Sequence, residues 1–112
     1  MATGVIQNML DKPVTVNGIN GTVEAASVIQ EGKLVSGYIA ISSLTAAKSA
    51  WINLCRISVR PSATLVAHAY LSSNGSDCGI IRFNSNENVV HIYPTQALSN
   101  HTINFMFAYR TT

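Results

Sequence analysis

The chain has 112 residues and a formal net charge of +2, and only 11% of its residues are charged, against about 25% in an average globular domain. That length is one domain, able to bury most of its unfolded surface with little stability to spare. Seven basic residues spread singly along the chain argue against nucleic-acid binding, which needs a clustered basic face, and no apolar run reaches the roughly 18 residues of a membrane span.

The polar surface must come instead from 12 serines, 9 threonines and 10 asparagines. Such a surface suits sugars or other protein chains better than ionic partners. In "GVIQNMLDKP" the apolar Val5, Ile6, Met9 and Leu10 recur at helical spacing, and Pro13 closes the segment because it cannot continue a helix. Residues 1–12 therefore read as a short helical or irregular connector, the cut edge of a longer protein without a signal-peptide layout, and 13–112 as one β domain.

Turn signals recur at Asn17-Gly18, Asn20-Gly21, Glu31-Gly32 and Asn74-Gly75, each flanked by β-branched or alternating segments. Between them the pattern predicts strands near 13–17, 21–30, 33–42, 49–58, 63–72, 77–84, 88–93 and 102–110. About eight short antiparallel strands point to an all-β fold, a two-sheet sandwich or a jelly-roll-like barrel.

Alternation assigns side chains to faces. "SAWINLCRI" sets Ala50, Ile52, Leu54 and Arg56 against Trp51, Asn53, Cys55 and Ile57, and "TLVAHAYL" sets Leu65, Ala67, Ala69 and Leu71 against Val66, His68 and Tyr70. "NVVHIYP" opposes Val89, His91 and Tyr93 to Val90 and Ile92, and "INFMFAYRTT" opposes Ile103, Phe105, Phe107 and Tyr109 to Asn104, Met106, Ala108 and Arg110. Three or four strands thus keep apolar or aromatic residues on both faces. Left uncovered, the second faces would form a larger apolar patch than soluble monomers tolerate, and an oligomer is the simplest cover.

Cys55 and Cys78 lie 23 residues apart with no CxxC spacing. Two buried thiols are the expected state, a bridge requiring α-carbons within about 7 Å. With His68, His91 and His101 on separate segments, the case for a metal is weak. The acids Asp11, Glu24, Glu31, Asp77 and Glu87 give no reason to choose a facing pair for glycosidase chemistry, and no nucleophile signature, phosphate loop or dinucleotide fingerprint occurs. Neither an enzyme nor a cofactor is expected.

The run "AAKSAWINLCRISVRPSATLVAHAYL", then "CGIIRFNSNENVVHIYP" and the closing "TINFMFAYRTT" resemble the C-terminal head domains of phage tail receptor-binding proteins and tail fibres. The likeness rests on Arg60-Pro61, the apolar strand Leu65 to Leu71, the hairpin Ile80 to Tyr93, and Phe107 to Thr111. It implies a small antiparallel β head, trimeric about a fibre axis and joined on its N-terminal side to a neck or shoulder and so to the rest of a tail or baseplate. Such heads bind saccharides of the bacterial cell envelope. A protein of this kind is made in a reducing host cytoplasm, where thiols stay free, and ends in the virion at the tail tip. No sugar-binding motif carries over residue by residue.

From the residues themselves, sugar binding needs groups that stack or fork toward hydroxyls. Trp51 offers a broad ring with one N–H donor. His68 shares a strand face with Tyr70, His91 shares one with Tyr93, and Asp77 and Arg82 come from the hairpin between. Trp51 and Tyr70 suit core or subunit contacts as well, and His68 suits an interior position. The alternative is a structural β-domain that trimerises or caps a fibre and touches no ligand.

Overall fold

In the computed structural model, which describes residues 11–112, the apolar alternation is expressed as strands and the glycine signals mostly as turns. The strands are β1 (Asp11–Pro13), β2 (Val16–Gly18), β3 (Thr22–Glu31), β4 (Leu34–Ala46), β5 (Ile52–Ile57), β6 (Leu65–Leu71), β7 (Asp77–Phe83), β8 (Val89–Pro94) and β9 (Leu98–Arg110). All pair antiparallel in one sheet of order β1-β3-β4-β9-β6-β7-β8-β5-β2. Over the described residues the fold is all-β, but the nine strands there form one continuous curled sheet instead of two separate ones. The helical spacing at Val5 to Leu10 lies outside the described residues, and residues 11 and 12, read as the end of the connector, open β1.

The curl follows from one short crossing. β1 and β2 are the two edge strands of the sheet, yet only Val14 and Thr15 separate them in the chain. The Val14 N–H donates to the Val28 carbonyl of β3 at 3.0 Å, while the Thr15 carbonyl accepts from Ser58 N–H, just after β5, at 3.0 Å. Two residues span only about 7 Å, so the opposite edges of the sheet must lie side by side. What the alternation marks as one strand over 13–17 is thus a strap that changes edges midway. Pro13 fits there because an edge strand leaves its missing N–H unneeded.

Gly32 has a φ of 62° and Gly75 one of 75°. The first makes the two-residue reversal between β3 and β4, and the second lies in the turn joining β6 to β7. Asn17-Gly18 is no turn: Gly18 pairs with Cys55 inside β2.

Curling places the inner faces of β7 and β9 against each other. Phe83 sits 4.7 Å from Phe107, 5.6 Å from Tyr109 and 6.4 Å from Phe105, centroid to centroid. Ile39, Ile41, Leu44, Leu54, Ile57, Ile81, Val90, Ile92 and Ile103 surround them, all buried. Each such side chain stabilises the fold by about 1.5–3 kcal/mol. Tyr109 is the polar exception, and its hydroxyl donates to the Val59 carbonyl. Burial pushes that phenol up to about 12.

The second faces have the other fate. Met106 is 74% exposed, Val66 57% and Leu34 47%, and the register puts Tyr38 opposite Met106 on the same outer surface. Among the described residues nothing covers them.

Candidate functional site

Strict alternation would put Trp51 on the same face as Cys55 and Ile57. The β5–β8 register instead shifts between Asn53, paired with His91, and Cys55, paired with Val90. Leu54 is the extra residue of a β-bulge, which reverses the face assignment of everything beyond it. Leu54, Cys55 and Ile57 are buried together while Asn53 and Arg56 are exposed. Trp51 consequently lies 41% exposed beside the outer face of β8. The Ser49 N–H anchors the preceding loop by donating to the Pro94 carbonyl at 2.9 Å.

There Trp51 meets Tyr93, ring centroids 5.2 Å apart and planes tilted by 52°. The Arg82 guanidinium carbon stands 4.0 Å from the centre of the indole, a cation–π contact contributing about 0.5–1 kcal/mol at a half-exposed position. Arg82 pairs in register with His91, and Ile80 with Tyr93. One step further along the sheet, Ile80 pairs with His68. The result is an aromatic and cationic platform spread over four adjacent strand positions.

Asp77 reaches it through a second bulge. The β6–β7 register jumps from Ala69 opposite Gly79 to Tyr70 opposite Asp77, leaving Cys78 as the extra, buried residue. The bend brings Asp77 Oδ2 to 2.8 Å from His68 Nδ1, and Asp77 Oδ1 accepts from the Gly79 N–H at 3.2 Å. Both side chains are about half exposed, at 55% and 49%, so the pair contributes less than about 1 kcal/mol to stability. It holds an imidazole edge and a carboxylate in a fixed relation at the surface.

At the other end, His91 Nε2 lies 3.5 Å from Glu87 Oε1. His91 Nε2 and Arg82 Nε are the buried side-chain nitrogens without a hydrogen-bond partner among the described residues. The Asn84 amide, donating at 3.1 Å, holds the Glu87 carboxyl below its ordinary range, with His91 and Arg82 adding to the effect. The polar turn 84–88 is itself docked on the loop after β5: Arg60 Nε donates to Asn88 Oδ1 at 2.9 Å, and Asn86 N–H to the Pro61 carbonyl at 2.9 Å.

Of the residues singled out from the sequence, Trp51, Tyr93, Arg82 and His91 form one contact group, and His68 with Asp77 forms a neighbouring pair on the same surface. Trp51 and His68 stand at the surface, not in the core. Glu87 and Asn84 belong to the group as well, and the charged residue in the Asn-rich "NSNEN" turn was the signal for them. Among the described residues no three His, Cys, Asp or Glu side chains converge as a metal would need. The arrangement offers a stacking ring, a guanidinium, two imidazoles and two carboxylates. No protein-family model and no curated protein matches the chain.

Proposed function

We propose that the outer surface of β6, β7 and β8, with Trp51, binds a bacterial cell-envelope saccharide, and that the chain is the trimeric head of a phage tail or fibre. The observation that carries the reading is Trp51 itself: a large ring left 41% exposed, held by Tyr93 and Arg82, and flanked by the His68–Asp77 pair. An apolar sugar face stacks on such a ring while the neighbouring charged and imidazole groups take the hydroxyls. Trimerisation and attachment to a tail come from the resemblance of the C-terminal two thirds to receptor-binding heads. Binding is non-catalytic, and the tail tip of the virion is the place of action.

One site of this size binds weakly, with a dissociation constant on the order of micromolar to millimolar. Three sites on a trimer raise the avidity through effective concentration. The test is a glycan array with the parent and with Trp51→Ala, Asp77→Ala and His91→Ala, each checked for unchanged melting temperature. Binding to an envelope glycan that falls at least tenfold in Trp51→Ala supports the reading. Unchanged binding in all three variants places the site elsewhere.

A second reading has its own observation. Leu34, Tyr38, Val66 and Met106 leave an apolar outer surface on β4, β9 and β6, which suits a module that only joins subunits of a fibre. A parent protein that binds no envelope glycan would favour it.

A further inference from the structure

A cleft of about 460 Å³ opens where β3 and β9 begin and β6 ends, lined by Glu24, Ser72, Ser73, Asn100, His101 and Thr102. That volume lies within the range of about 300–1,000 Å³ usual for small-ligand sites. Every lining side chain is polar.

Several of them are fixed in advance. The Ser99 N–H donates to His101 Nδ1 at 2.8 Å, so in the neutral imidazole Nε2 carries the proton and serves as a donor. Asn100 is held at a φ of 54°, its N–H donating to Thr45 Oγ1 at 3.0 Å. Ser72 Oγ accepts from Asn104 Nδ2 at 2.9 Å, which leaves its own O–H to donate elsewhere. Glu24 stands at the register shift between Val23 and Ala25, where a bulge redirects the side chain. Among the described residues its carboxylate accepts no hydrogen bond and joins no ion pair.

We infer that this cleft is a second subsite, for a neutral hexose unit, of the saccharide surface; the inference rests on that surface binding saccharide at all. Among the described residues Glu24 is the one carboxylate in the lining and no lysine or arginine joins it there, so with His101 neutral an acidic sugar or a phosphate is repelled. Its two oxygens accept from a pair of neighbouring sugar hydroxyls, while His101 Nε2–H and the Ser72 hydroxyl donate back. The cleft connects to the Trp51 platform by register. Tyr93 pairs with Ile80, Ile80 with His68, and Tyr70, on the same face of β6 as His68, with Asn104, which bonds Ser72 in the cleft wall. Three interstrand steps of about 4.8 Å and one two-residue step of about 7 Å along β6 separate Tyr93 from the cleft wall, a span for a short oligosaccharide.

The experiment titrates ¹⁵N-labelled protein with glucose, galactose and mannose, each as the free sugar and as a trisaccharide, with glucuronate as the acidic control. The expected result is saturable shifts at the amides of Ser72, Ser73, Asn100 and His101 with at least one neutral sugar and none with glucuronate. Glu24→Gln should weaken them on the order of tenfold, the loss of one hydrogen bond to a charged acceptor. Trp51→Ala should leave the free-sugar effect at the cleft unchanged and weaken the trisaccharide. Absence of cleft shifts with every neutral probe, equal shifts with glucuronate, or indifference to Glu24→Gln overturns the inference. Shifts at the Trp51 indole without cleft shifts overturn the second subsite alone. Cleft shifts with no effect at Trp51 overturn the platform reading and keep the cleft as a site of its own.

Discussion

Cys55 and Cys78 are free, buried thiols that owe their inward position to the two bulges. Desolvation pushes Cys55 up to about 12 and Cys78 up to about 11, the second with help from the Asp77 carboxylate. With Tyr109 at about 12, three groups hold their protons more tightly when folded than at their ordinary values of 9.0, 9.0 and 10.0. The folded state therefore binds more protons above about pH 9, and stability falls as pH rises from there toward about 12. Melting temperatures measured from neutral to alkaline pH should show that decline, and Cys55→Ala should flatten it. The thiolate is the reactive form, so alkylation at neutral pH should leave the native chain unmodified and add two groups once it is denatured without reductant. An absence of adducts under denaturing conditions would mean a disulfide.

At the scale of elements, β3 and β4 leave no room for a side chain at Gly37. A Cβ built there would stand 2.6 Å from Val28 Cα and against the Ser27 carbonyl oxygen. The obstacle is backbone, which cannot rotate aside, so Gly37→Ala should destabilise by about 3 kcal/mol, the upper part of the range for overpacking. A chain of this size would then melt roughly 10 °C lower or more. A melting temperature within a degree or two of the parent would show that β3 has room to lift away. The strap over residues 11–18 poses the complementary question. Thr15→Pro removes the N–H that donates to Ser58 Oγ at 3.0 Å and fixes φ near −65° where the chain crosses between edges. Loss of protection from hydrogen exchange at Val14, Ser58 and the β2–β5 pairs is the expected outcome.

For the whole molecule, the outer apolar surface decides between a lone chain and an assembly. If the chain is trimeric, light scattering at micromolar concentration gives three times the 12.0 kDa chain mass. Met106→Lys then separates the possibilities. On a lone chain a side chain 74% exposed accepts a lysine within about 0.5 kcal/mol. In an interface the same lysine buries an unpaired charge and dissociates the subunits. A single-chain mass for the parent would end the trimer.

Much of the fold could be read from alternation because a period of two is local. The inner faces of β6, β8 and β9, with Phe105, Phe107 and Tyr109 inward and Met106 outward, follow from counting along one segment, and Gly32 and Gly75 mark turns through their own backbone preference. The residue types of the platform were legible for the same reason. What the sequence could not determine is register, a relation between strands far apart in the chain. The bulges at Leu54 and Cys78 exist only against β8 and β6, and one inserted residue exchanges the two faces of a strand. They turn Trp51 outward, bury both cysteines and carry Asp77 to His68. Likewise Asn17-Gly18 has the composition of a turn and is pulled straight by pairing with β5, and the division of 13–17 between two edges depends on how far the whole sheet curls. Local chemistry set the elements; the positions that gather the surface side chains were decided by non-local pairing.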